Sequence, residues 1–457
     1  MAQVGRTAAR LTARPPLDPP AKSTPRDWVT RMATKSSHQR RVFTGGQVFD
    51  GTGSPPARAD VVVQDGIILE VGIGLDGDVE IPIPGQTLLP GFIDSHVHVV
   101  IEGIDLLRRL KMPPGYRYYV AASNLARLLD IGITTARDAA GADMAIKQAL
   151  IDGRIPGPRL QIAIQMLSQT GGHADGWHPS EVYVPDIDQP PGMPTGVVDG
   201  PENVRTRVRS LIRSGADVIK IASSGGVMSP RSDPRLAQFQ PEELEMAVRE
   251  ALAAGLDVMA HAQGTQGIKN AVLAGVRSIE HGVYLDEEAA ELMVKRGTFL
   301  VPTLLAPVSV LAATAEGAAV GDAVQNKINT VVEAQRASFR LAVAAGVPIA
   351  MGTDAIGFPM GRNLEELELM AAQGFTPAAA LVAATSSAAR LLRLDAEIGT
   401  IEPSKRADLV VLEGDPYDFA GLASRISAVY QDGERVGPRV RADRFGGEQA
   451  PSVVQPH

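Results

Sequence analysis

From residue 88 to residue 355 the chain repeats one hydropathic phrase. A short apolar run is followed by a break, then by a segment whose apolar positions recur every three to four residues. Eight such runs stand out: LLPGFIDSHVHV (88–99), GITTARDA (132–139), RLQIAIQML (159–167), ADVIKIAS (216–223), LDVMAHA (256–262), SIEHGV (278–283), TFLVPTL (298–304) and PIAMGTDA (348–355). Short apolar runs bounded by turn residues read as buried strands. The segments between them, such as PEELEMAVREALAAG with Pro241 at the first helical position, read as helices. Alternating strands and helices imply parallel strands, because each crossover helix returns the chain to the same end of a sheet. Eight units predict an α/β fold, a (β/α)8 TIM barrel, with a doubly wound open sheet as the alternative.

The texture differs on either side of this region. Before it stand RVFTGGQVFDG, ADVVVQDGIILEVG and EIPIPGQTLLPG, where Asp65-Gly66 between Val61–Val63 and Ile67–Leu69 predicts a tight hairpin. The same flavour returns in RADLVVLEGDP and ISAVYQDGERV, with Asp432-Gly433 as a second hairpin turn. Two β-rich ends predict a small β-sandwich domain formed from both termini. The expected organisation is an arm over 1–40 outside the fold and sandwich strands over 41–87. The barrel then covers 88–397, further sandwich strands 398–440 and a tail 441–457. The arm is rich in Arg, Pro and Ser and lacks the apolar core of a secretory signal, so it reads as disordered or as the product of a start placed upstream of Met32, with a transit peptide as the lesser alternative.

Composition narrows the chemistry. The chain has 457 residues, 44% of them hydrophobic, 46 glycines and a net charge of −8, which gives no reason to expect a nucleic acid as partner. No cysteine is present, so thiol catalysis and disulfides are excluded and any metal must be held by nitrogen and oxygen. The most apolar stretch, FLVPTLLAPVSVLAA from Phe299, is too short for a bilayer and is broken by Pro302 and Pro307. The expected setting is cytoplasmic, with a small-molecule substrate, no membrane partner and a homo-oligomeric state.

Four of the eight histidines sit at the ends of apolar runs. His96 and His98 are two apart on a strand and so point to one face. His261 and His281 end consecutive strands, where a lone histidine would be a satisfied core residue but two beside an HxH pair point to metal ligation. Asp354 follows Gly352-Thr353 at the last strand's end, where it could cap a helix, or bind metal and move a proton. Lys220 cannot ligate a cation as an ammonium. By its own chemistry it is a substrate-binding charge or a core ion pair. This constellation reads as a metallohydrolase.

These phrases together resemble the amidohydrolase superfamily. LLPGFIDSHVHV is similar to its first-strand signature, DVIKIASSGG to its fourth, DVMAHAQGTQGIKNAVLAGVRSIEHG to its fifth and sixth, and PIAMGTDA to its eighth. GTIEPSKRADLVVLEGDP resembles the return to the β-sandwich. The resemblance implies a binuclear centre. His96, His98 and Asp354 would hold one divalent ion and His261 and His281 the other, with Lys220 N-carboxylated by CO2 and bridging both. Zinc is the expected metal, with cobalt or manganese able to take the same donor set. Water activated there would attack a carbonyl, and Asp354 would shuttle its proton.

Within the superfamily the chain is most similar to the imidazolonepropionase-like and Xaa-Pro dipeptidase group, with phenylurea and molinate hydrolases as further relatives. TGGHAD (170–175) matches the group's loop after the third strand and implies that His173 contacts substrate. Gln263 and Tyr284 are expected substrate contacts. Gln263 stands where dipeptidase-like members often carry an aromatic residue. His96-x-His98 stands where some urea hydrolases carry Asn-x-His, which favours an ordinary two-metal site. The expected reaction is hydrolysis of a C–N bond in an amide, carbamate, urea or dipeptide. Alternatives are a phenylurea or thiocarbamate xenobiotic hydrolase and a cyclic amide or lactone hydrolase. A decayed, non-enzymatic barrel would have lost ligands, and every ligand position is filled. The segment 168–200, with Trp177, His178 and Tyr183, is long for a connecting loop and reads as a partial lid.

Overall fold

The computed structural model describes residues 38–438, apart from 179, 182, 184–189, 194, 230, 319–321 and 358–359. The expected arm and tail lie outside that range almost entirely, and residues 179, 182, 184–189 and 194 of the segment read as a lid lie outside the described residues.

Eight short parallel runs build the centre, and their side chains are buried nearly throughout. Phe92–Val97, Ile133–Asp138 and Arg159–Ile162 form a three-stranded parallel sheet. Met166–Leu167, Val218–Ala222, Asp257–Ala262, Ser278–His281 and Phe299–Val301 form a five-stranded one. Helices such as Pro201–Arg213, Pro241–Ala253, Thr265–Ala274 and Glu287–Arg296 connect them. Strands buried on both faces explain why the sequence shows continuous apolar runs rather than alternation.

Two of the expected strands depart from regularity. The third run breaks between Ile162 and Met166, where Ile164 adopts a φ of 66°. A β-branched residue there cannot continue the ladder, so the run ends in one sheet and resumes in the other. The eighth run, around 348–355, makes no extended strand but a single parallel bridge between Ile349 and Leu300. Its backbone still bonds to both neighbours: Ala350 N donates to Leu300 O at 3.0 Å and Ser95 N to Met351 O at 2.9 Å. On the far side, Asp217 N donates to Ile162 O at 2.8 Å.

The β-rich ends share sheets. One sheet runs Ile67–Gly72, Asp60–Gln64, Arg41–Thr44, Val79–Pro82. The other has six strands and pairs Leu409–Glu413 antiparallel with Gln86–Pro90, joining the two ends of the chain. Both expected hairpins form, with Asp65-Gly66 at φ 50° and 81° and Asp432-Gly433 at φ 50° and 72°. Two successive left-handed residues match the twist of the flanking strands. Phe43, Val61, Val63, Leu88, Leu409 and Val411 form the core of this part, and Tyr430 packs edge-on to Phe43 at 5.0 Å. Among the described residues no helix is long and apolar enough to cross a membrane.

Candidate metal centre

The parallel strands all end on one side, and there the histidines meet. One ligand atom each from His96, His98 and Asp354 lie within 4.8 Å of one another. His98 Nε2 is 3.2 Å from Asp354 Oδ1, and His96 Nε2 is 3.7 Å from it. The His281 ring centre lies 5.2 Å from that of His96 and 4.7 Å from that of His261. His173 stacks on His261 at 4.1 Å and 15°. Lys220 points into the same interior, nearly fully buried, and its Nζ has no hydrogen-bond partner.

Two of these residues pay for their position in backbone strain. His281 has a φ of 74° and Asp354 a φ of 46°, a left-handed conformation that non-glycine residues seldom adopt. Asp354 is held there by its N–H, which donates to His96 O at 2.8 Å. Gly352 is required by crowding, since a Cβ at that position would lie 2.9 Å from His96 Cβ and would run into Val301.

Each imidazole is oriented by a bond from its outward nitrogen. His96 Nδ1 donates to the Glu280 carboxylate at 2.7 Å, which leaves its Nε2 with a lone pair facing the site, and His98 Nδ1 donates to Ala140 O at 2.9 Å, which turns its Nε2 toward Asp354 Oδ1 at 3.2 Å. His281 Nδ1 bonds Thr303 Oγ1 at 2.8 Å. His261 reverses the pattern: Nε2 donates to Gly225 O at 3.1 Å, leaving Nδ1 as the lone-pair atom. Only His98 is pushed toward the charged form. Burial opposes its charge, but the hydrogen bond and the negative charge of Asp354 outweigh that. Burial, aided by the Lys220 charge, holds His96 well below the usual imidazole range and takes His173 to about 4. Burial takes His281 to about 4 as well and Lys220 to about 8. Neutral imidazoles are the form that binds metal.

The surrounding shell was not visible as a motif. Arg137 lies fully buried, its Nε donating to Ser95 O at 2.7 Å and its Nη2 to Glu280 Oε1 at 3.0 Å. It ties Phe92–Val97, Ile133–Asp138 and Ser278–His281 together beneath His96. Asp94 accepts from His96 N at 3.0 Å, from Thr353 Oγ1 at 2.8 Å and from Asn363 Nδ2 at 2.9 Å. It thereby joins the HxH strand to the turn that carries Asp354. Polar alternation at Ser278 and Glu280 in SIEH, and Arg137 in TTARD, were the available signals. Period two at the interior face of a strand marks residues pointing inward.

The expected substrate contacts divide. His173 and Gln263 line the chamber above the histidines, His173 with its N–H donating to Gln238 Oε1 at 2.9 Å. His173 Nδ1 and Gln263 Oε1 are buried without partners. Tyr284 is instead turned into an apolar cluster with Val283 and Val331 and is not among the residues that line the chamber.

A family model described as "Amidohydrolase family" matches residues 87–441. The chain belongs to that family. It is 33% identical over 406 residues to the ochratoxinase of Aspergillus niger, covering 85% of this chain and 84% of that one. The crystal structure of the A. niger enzyme superposes with a TM-score of 0.76 over 88% of this chain and 96% of that one. A prolidase complexed with N-methylphosphonate-L-proline gives a TM-score of 0.80 at 34% identity, over 87% of this chain and 99% of its own. Phenylurea hydrolase B, at 21% identity and a TM-score of 0.71 over 87% and 96%, shares the fold alone. This amidohydrolase-family chain is therefore a hydrolase acting on C–N bonds.

Proposed function

We propose that this hydrolase cleaves an amide-type C–N bond of a small molecule at a binuclear centre of divalent ions. The two parallel sheets are read as one closed (β/α)8 barrel over 88–397, with a β-sandwich from 41–87 and 398–440. The bonds from 348–351 to Leu300 and Ser95 and from Asp217 to Ile162 support that closure. A cytoplasmic homo-oligomer completes the reading, and those two terms rest on the sequence alone.

One observation carries the proposal: Lys220 Nζ, a buried amine with no hydrogen-bond partner, shares the strand ends with His261, His281 and a cluster of ligand atoms from His96, His98 and Asp354 within 4.8 Å of one another. Burial disfavours the ammonium form there and lowers its pKa to about 8, against the nearby negative charges of Glu280 and Asp354. A carboxylate on Nζ, made with CO2, would replace that ammonium with two ligand oxygens. His96, His98 and Asp354 would then hold one ion and His261 and His281 the other, with carboxylated Lys220 between them. The nitrogen and oxygen donors fit zinc, and also cobalt or manganese. Bound ions would supply acidity to water and polarise the scissile carbonyl.

The chain's own groups do the rest. Asp354 takes the proton of the attacking water and passes it to the leaving nitrogen, a transfer worth roughly 10²–10⁴-fold. Its side chain is 17% exposed, enough to reach both water and substrate. His173 donates to the carbonyl oxygen as charge builds there, worth roughly 10²–10³. Gln263 Oε1, unpartnered in the chamber, accepts an N–H of the amide. The prolidase and ochratoxinase likenesses favour an amide over a urea, since the phenylurea hydrolase likeness extends to the fold only.

The test is Lys220→Ala assayed against dipeptides, N-acyl amino acids, carbamates and phenylureas. The variant should be nearly inactive and be partly rescued by short carboxylic acids, which can occupy the bridging place. Rescue by amines instead would make Lys220 a substrate-binding ammonium. A carbamate carbon signal from protein equilibrated with isotopically labelled bicarbonate, absent in Lys220→Ala, checks the modification directly.

A further inference from the structure

Above the histidines a cavity opens between two helices, Leu305–Ala315 and Asp322–Ala345. Its floor is His173, His261, His281 and Asp354. Its walls are apolar: Val310 from the first helix, Ile328 and Val331 from the second, with Val227, Val283 and Ile356 from the loops. Ile328, Val331 and Gln335 recur at helical spacing, so one face of the second helix is given over to the cavity.

Charges near this wall are already committed. Lys327 Nζ, next in sequence to Ile328, donates to Ser229 O at 2.7 Å and Ser232 O at 2.5 Å, pinning that loop to the helix. Arg235 is paired with Asp233 at 2.7 Å. Gln335 Nε2 donates to Pro302 O at 2.6 Å. Among the described lining residues, the only groups that can carry charge are the histidines and the aspartate of the floor. An ionised group pushed against the walls would lose its water and find no partner.

We propose that this cavity selects substrates whose group beside the scissile carbonyl is uncharged and apolar, an aliphatic chain or a single aromatic ring, and that Ile328 and Val331 set this preference. The inference rests on the hydrolase reading, since the floor must hold the reacting carbonyl. It goes further by fixing the chemistry of one side of the substrate.

Three hydroxamic acids of equal chain length test it by binding rather than turnover: hexanohydroxamic acid, 6-aminohexanohydroxamic acid and adipic monohydroxamic acid. All present the same metal-chelating head, and their tails end in methyl, ammonium and carboxylate. Calorimetric titration of the metal-loaded protein should show the methyl tail binding at least about tenfold tighter than either charged one, the scale on which apolar pockets discriminate. Val331→Lys should reverse the order of the methyl and carboxylate tails while metal content stays constant. Should that variant not fold, Ile328→Gln should narrow the gap between the tails. Equal affinities, preference for a charged tail, or no binding by metal-loaded protein would overturn the inference. Protein that takes up no metal would instead remove the hydrolase reading, and the inference with it.

Discussion

At the scale of single residues, the candidate ligands were legible and the residues that orient them were not. His96, His98, His261, His281 and Asp354 stand beside turns at the ends of apolar runs, and the structure brings them together. Lys220 was legible as an anomaly, a cation in the middle of VIKIA. Arg137 and Glu280 were hidden because an inward polar residue in a strand looks like any other break in alternation. Their pairing at 3.0 Å in a fully buried setting makes a strong prediction. Arg137→Ala leaves the Glu280 carboxylate buried with one partner fewer, and removing one member of a buried pair costs about 3–5 kcal/mol. Urea unfolding should show that loss, and Arg137→Met with Glu280→Gln should cost less than the sum of the single changes. Additive losses would mean the two residues do not act as a pair. Glu280→Gln should also weaken metal affinity about 10–100-fold, because a single amide oxygen cannot accept from both His96 and Arg137. Gly352→Ala should disturb the same ring by crowding His96 Cβ, visible as lost metal with little change in helix content.

At the scale of elements, the alternation of runs and helices gave the parallel strands, while their irregularities came from conformation the pattern does not encode. Ile164 reads as an ordinary strand residue, yet its φ of 66° ends one strand and starts another. The eighth run is too short and too rich in Gly, Thr and Asp to make a ladder. Helix ends hold a further element-level device. Glu366, in Glu365–Ala372, accepts the N–H groups of Leu304 and Leu305 at 2.8 and 2.7 Å, capping the start of Leu305–Ala315. Burial pushes its carboxyl up to about 8. The folded state therefore keeps a proton that the unfolded chain releases near 4.5, and the unfolded state binds fewer protons between those values. Stability contributed by this group is complete below about pH 4.5 and is lost as pH rises toward 8, at about 1.4 kcal/mol per pH unit. Between pH 6.5 and 8, above the range in which the buried His96, His173, His261 and His281 act in the opposite sense, Tm should fall, and that of Glu366→Gln, which cannot ionise, should fall less steeply. Parallel slopes in the two proteins would place the pH dependence elsewhere.

At the scale of the whole molecule, the joining of both termini in one six-stranded sheet follows from the matching β-rich ends, and the pairing of Leu409–Glu413 with Gln86–Pro90 realises it. The apolar cavity was not legible. It is built by one face each of Leu305–Ala315, which is apolar nearly all round, and Asp322–Ala345, which mixes apolar and charged positions, and only folding shows which positions turn inward. The central claim is that hydrolysis of a C–N bond depends on divalent ions held by these strand ends. Metal content by plasma emission, read on the same sample as amide hydrolysis through chelation and metal re-addition, tests it most directly. About two ions per chain are expected, with turnover lost on their removal and restored with zinc, cobalt or manganese. Undiminished turnover by metal-free protein would contradict the account.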